Sequence, residues 1–147
     1  MALLGACGGE ASGGCGPDLR ERIDPGSAVH LLPGAPEPEY LSDPPTSGPH
    51  RVGPLPTGAL GAPLDRPSQV QVLEAGRVLL QHQGLSADDR AALEALAGDD
   101  VVVAPGVELP SPVVATAWGA KRTCDEVEEE ALRRFVSDHL DIGPGHG

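Results

Sequence analysis

The segment Tyr40-Leu41-Ser42-Asp43-Pro44-Pro45-Thr46-Ser47-Gly48-Pro49-His50 places an acid, a hydroxyl and an imidazole close together in sequence. Asp43, Ser47 and His50 are the residue types of a nucleophilic triad. There the imidazole takes the hydroxyl proton while the acid orients its second nitrogen. Crowding all three into one Pro-rich loop works against that geometry, and no oxyanion hole is identifiable. A structural use follows more directly: Asp43, Thr46 and Ser47 can bond nearby backbone amides that the prolines leave unpaired. Pro44 and Pro45 fix φ and favour extended backbone before them, and Gly48 allows angles closed to Ser47. The segment is expected to be a stiff loop that presents Thr46, Ser47 and His50 in a defined direction; with Glu74 and His82 these are the candidate binding residues.

The second chemistry available is metal ligation. Imidazole is a common transition-metal ligand, and His50 with His30 and/or His82 would make a histidine set. The alternative is ordinary loop or surface histidines. His139 and His146, towards the C-terminal end, carry no spacing signal. Glu74 either accepts a hydrogen bond from the Pro-rich loop or faces solvent. Trp118 is expected in the core, since a lone Trp in a chain with 2% aromatic residues is needed there.

Leu4-Gly5-Ala6-Cys7 has the form of a lipobox, in which Cys7 would become the lipidated first residue. Only Met1-Ala2-Leu3 precede it, so a signal region would have to lie upstream; otherwise Cys7 is incidental. With Cys7 lipidated, Cys15 and Cys124 remain as one pair for a disulfide. The other reading is two reduced thiols. No Cys-x-x-Cys or zinc-like spacing occurs.

The elements that must position these groups lie mainly in the second half. Residues 1–67 hold 12 of the 16 prolines and 12 of the 20 glycines. Residues 1–27 read as a flexible tether, 28–142 as a single domain and 143–147 as a flexible tail. Ala28 to Leu32 is an expected edge strand, and Gly58 to Gly61 an expected turn. Gln69 to Leu73 alternates polar and apolar residues, the period of a strand. Gly76 is read as a bulge or close approach before a buried strand, Arg77 to His82. Ser86 caps a helix that Gly98 would end. Val101 to Ala104 and Val113 to Trp118 are further strands. Asp125 to Leu140 is a strongly amphipathic helix. The fold class is therefore α+β, a small mixed sheet with two helices packed on it, after a Pro/Gly-rich region.

A formal net charge of −12 offers no basic patch for phosphates and none for an anionic membrane face. A nucleic-acid partner is excluded on that ground. No apolar run reaches the roughly 20 residues that span a bilayer, so membrane contact would come only through a lipid on Cys7.

Three blocks resemble a bacterial family, domain of unknown function 3105. They are Asp43 to His50 with His30 and Tyr40 before it, Val70 to His82, and the segments Val101 to Pro105 and Val114 to Gly119 followed by the helix through Phe135. The resemblance implies histidines at two positions of the second block, where this chain has Gln71 and Ala75, and a tyrosine where it has His82. Three imidazoles converging from two blocks would make a metal site in such a relative; here His50 is what remains of that set. The resemblance brings no known activity. The expectation is an extracytoplasmic, lipid-anchored binding or structural module of a bacterial envelope, with an envelope protein or small ligand as partner. It needs no cofactor. The alternative is a protein or enzyme that uses a transition metal.

Overall fold

The computed structural model describes residues 14–144. The chain opens with β1 (Leu19–Arg20), β2 (His30–Leu31) and β3 (His50–Arg51), and continues with α1 (Arg66–Glu74), β4 (Val78–His82) and α2 (Ala87–Glu94). It closes with β5 (Val101–Pro105), β6 (Val113–Ala117), β7 (Ala120–Cys124) and α3 (Glu129–His139). Five strands form one sheet in the order β1-β7-β6-β4-β5, and β2 pairs with β3 in a separate parallel ribbon. Only β4 and β5 run parallel in the main sheet; the β4–β6, β6–β7 and β7–β1 pairs are antiparallel. The fold is α+β on a mixed sheet, as the order of elements implies.

Alternation along the strands sends side chains to opposite faces. Val78 and Leu80 of β4 join Leu93 of α2 and Leu132 and Phe135 of α3 on one face. Leu79 faces the other way and meets Val72 and Leu73 of α1, with Leu60, Leu64 and Trp118 packed around them. The sheet is thus covered on both faces by three helices, where two were expected. The additional one is α1, in the place of the strand anticipated at Gln69 to Leu73.

The difference has a physical cause. Alternation marks a strand only when one face is polar because it is wet, and here Gln69, Val70, Gln71, Val72 and Leu73 are all buried. Both glutamines are polar positions turned inward: Gln69 Nε2 donates to Leu64 O at 2.9 Å and Gln71 Nε2 to Gly53 O at 2.9 Å. The start signals were present in Asp65, whose side chain accepts from Ser68 N, and in Pro67 of the first turn. Gly76, at φ +82°, sits just beyond the helix and ends it, rather than bulging a strand.

The strands at the rim also differ from expectation. Of Ala28 to Leu32, only His30 and Leu31 pair as a strand. Gly58 to Leu60 is no free turn but runs beside β5, with Leu60 N donating to Val103 O and Val103 N to Gly58 O. It covers backbone groups that an edge strand would leave open. β7 follows β6 through a tight turn at Trp118-Gly119, where Gly119 takes φ +69°. α2 ends at Glu94, before Gly98, and α3 starts at Glu129, after the acids at Asp125 and Glu126.

The boundary at residue 28 is corrected as well. Residues 14–27 belong to the domain: β1 pairs with β7, and Cys15 is bonded to Cys124 with Cα atoms 3.9 Å apart. The bond closes a sequence separation of 109 residues, which in the chain-entropy account contributes about 4–5 kcal/mol. Gly143 is not a free tail either. A Cβ there would lie 2.8 Å from Glu74 O, so the chain crosses the end of α1 in close contact. Residues 1–13, with Cys7, and 145–147, with His146, lie outside the described residues.

Candidate functional site

Residues 44–48 of the Pro-rich loop are buried, as is His50, and the Asp43–Pro44 peptide is cis. The loop is held by the N-terminal strap, residues 14–27. Glu21 Oε1 accepts from Thr46 Oγ1 and from Ser42 Oγ, each at 2.7 Å, and Glu21 Oε2 lies 3.4 Å from Lys121 Nζ on β7. Asp24 N donates to Ser47 Oγ at 2.8 Å, and Gly48 N to Ser27 Oγ at 3.0 Å. Tyr40 OH donates to Pro49 O at 2.7 Å. Burial and then the Glu37 and Asp65 carboxylates push the Tyr40 phenol up to about 12, which keeps it a donor. Gly48 has φ +127°, and a Cβ there would come 2.8 Å from the Tyr40 ring. Only glycine fits between that ring and the strap.

Thr46 and Ser47 are therefore used inside the fold and are not displayed outward. The bonds expected with nearby amides give way to distant ones: Ser47 Oγ accepts from Asp24 N of the strap, and Thr46 donates to the Glu21 carboxylate. Asp43 turns to Arg66, at 3.8 Å, and His50 Nδ1 lies 3.1 Å from Gly48 O. Ser47, His50 and Asp43 thus face three different partners, and no triad is assembled from them.

His50 is the group of the loop with unused capacity. Its Nε2 is buried without a hydrogen-bond partner, 3.9 Å from Glu74 Oε2 at the end of α1. The His30 ring stands edge-on to it, with centroids 5.0 Å apart, because β2 and β3 pair with His30 opposite His50. Glu74 thus approaches the loop, as one of its two sequence readings had it, without reaching hydrogen-bond distance. His82 is placed elsewhere, at the end of β4 opposite Pro105 and Val113. Burial lowers its pKa, opposed by Glu94 and assisted by Arg90. Position 71 on α1 and position 75 at its C-cap are one turn apart and share a face, and Gln71 there bonds the chain just after β3. Among the described residues no three His, Cys, Asp or Glu side chains are placed to hold a metal ion.

Several partners were not legible. His139, without any spacing signal, is buried with its Nε2 2.7 Å from Asp18 Oδ2 in the strap. Lys121 is buried at 7% exposure, on a strand not anticipated. A run Asp18–Glu21–Asp24 with a three-residue period was the available signal, but the glycine content around it pointed to a tether.

The Glu21 carboxylate gives a pH prediction. Burial raises its pKa, but the Ser42 and Thr46 hydroxyls and Lys121 outweigh that and hold it below the ordinary value. A group depressed in the folded state stabilises above its unfolded pKa, near 4.3, and loses that contribution as pH falls through the folded value. Glu21→Gln is expected to lower stability at pH 7 by about 1–3 kcal/mol and to flatten the acid limb below about pH 4.3. Urea unfolding of both proteins across pH 2–7 measures it; parallel pH profiles would contradict the assignment.

No curated protein and no solved structure matches this chain. Residues 36–146 match the family described as protein of unknown function DUF3105. That span runs from the Pro-rich loop through all three helices, and it leaves the strap, residues 14–27, outside the match. On this match the chain belongs to the DUF3105 family.

Proposed function

We propose that this is an extracytoplasmic domain, tethered to a bacterial envelope membrane through a lipid on Cys7, that works as a binding or structural module. The observation that carries the reading is the Cys15–Cys124 bond, because such bridges persist in oxidising compartments and are rare in the cytosol. It also accounts for two of the three cysteines and leaves Cys7 for modification. The absence of any apolar helix long enough to cross a membrane, among the described residues, is compatible with a lipid tether. A non-enzymatic role is supported by the use of Ser47, Thr46 and Asp43 in holding the loop. Expressed from its own gene in a bacterial host, the protein is expected to enter the detergent phase on phase partition, and Cys7→Ala the aqueous phase. Aqueous partition of both would overturn the anchored reading.

A second reading, transition-metal binding at His50 with His30, is favoured by the unpartnered buried Nε2 of His50. It lacks a third donor, since Gln71 and Ala75 stand where the family resemblance implies imidazoles. Weak binding of copper, zinc or iron is therefore expected for the natural chain. Gln71→His with Ala75→His should raise affinity at least tenfold in a calorimetric titration. Equal, negligible binding before and after would remove the metal reading and its claim on His50.

A further inference from the structure

A cleft of about 340 Å³ opens beside the Pro-rich loop, between the start of α1 and the segment that follows β5. Its volume is within the roughly 300–1,000 Å³ typical of small-ligand sites. It lies at the carboxyl ends of β4 and β5, the two parallel strands, where open sheets commonly leave a crevice.

Hydrogen-bond acceptors dominate the lining. Gln81, at the floor, is 1% exposed, and its one side-chain hydrogen bond among the described residues is Nε2 to Gln69 Oε1 at 3.5 Å, the outer limit of such a bond. Its carboxamide oxygen accepts from no group among the described residues. The fully buried side-chain atoms without a partner, among those residues, are on His50, Arg77 and His82, so the Gln81 oxygen stays open to the cleft as an acceptor that no protein N–H uses. At the rim, Arg66 Nη2 is 3.0 Å from Glu37 and its Nη1 3.8 Å from Asp43, which offsets one of those two acids. Glu108 is exposed and has no ionic or hydrogen-bonding partner among the described residues, while its backbone is held in a bend. Its φ is +51°, and Gln83 clamps the next residue by accepting from Leu109 N at 2.9 Å and donating to Leu109 O at 3.1 Å. Leu64 and Leu109 supply apolar wall.

We propose that this cleft binds a primary ammonium group carried on a short aliphatic chain, with the carboxamide oxygen of Gln81 accepting from the nitrogen and Glu108 facing its charge. An anion is disfavoured, since Glu37, Asp43 and Glu108 outnumber Arg66. The same chemistry is offered by a free diamine and by a lysine side chain of a protein partner. The inference deepens the reading of the domain as a binding module and needs neither export nor a lipid on Cys7.

The test is an NMR titration of the full oxidised chain with cadaverine, with N-acetyl-lysine methylamide, and with pentanoate as an anion on a similar chain. Saturable shifts of the Gln69 and Gln81 side-chain amide signals are expected with an amine and none with pentanoate. Glu108→Gln, at an exposed position that leaves packing intact, should weaken amine binding at least fivefold. Gln81→Leu should weaken it further, and its unfolding midpoint shows whether the fold survives. Binding of cadaverine alone identifies a free amine as the source, and binding of the lysine derivative a protein side chain; either supports the site. Non-saturating shifts spread over exposed carboxylates, or unchanged affinity in Glu108→Gln, would overturn it. Failure here leaves the anchoring result standing, and aqueous partition of the natural protein leaves this site standing.

Discussion

The carboxylate of Glu21 is where three distant parts of the chain meet. It receives Ser42 and Thr46 from the Pro-rich loop and faces Lys121 from β7. A partly buried carboxylate is stable only when its lone pairs are used, and here three donors converge on the two oxygens. Around this point the strap adds its own pairs: Asp24 N to Ser47, Ser27 to Gly48 N, and Glu21 N to Gly119 O at 2.9 Å. Gly119 N donates in turn to Thr46 O at 3.0 Å. Strap, loop and hairpin turn therefore order one another. The disulfide at Cys15 and the Asp18–His139 pair tie the start of the same strap to β7 and α3.

This arrangement explains why a loop rich in functional residue types carries so little exposed chemistry. Prolines cannot donate hydrogen bonds from their nitrogens, so the loop is completed by side chains of the strap. Ser47 and Thr46 are spent on that. What remains is Asp43, exposed beside Arg66 at the rim of the acidic cleft, and the unpartnered Nε2 of His50. Unused polar capacity lies instead at the places that the loop fixes: the cleft above α1 and the His30–His50–Glu74 corner.

Strands flanked by clear punctuation were legible in the sequence, as were α2, α3 and the pairing of Cys15 with Cys124. Val101 to Pro105 is an apolar run ended by Pro105-Gly106, and Val113 to Ala117 begins after Pro112. Where the structure departs from the sequence pattern, a polar residue is not a solvated one. Gln69 and Gln71 are buried glutamines bonded to carbonyls, so a helix carried the alternation of a strand. Glycine-rich residues 14–16 have the composition of a tether, although Gly16 N donates to Thr123 O and its carbonyl accepts from Arg122. Such long-range partners leave no periodic trace. The cleft was unreadable for the same reason, because Arg66, Gln81 and Glu108 meet only after the sheet and α1 are in place.

The claim that the strap orders the loop is tested most directly by native-state hydrogen exchange at three amides: Asp24, Gly48 and Gly119. Each donates across a boundary between strap, loop and hairpin. In the oxidised protein all three should be protected with a common opening free energy. Reduction of the Cys15–Cys124 bond should lower that protection for all three together, while Leu80 in the central strand β4 keeps more of its own. Rapid exchange at Asp24 and Gly48 in the oxidised protein, or protection at these amides that ignores the disulfide, would contradict the account.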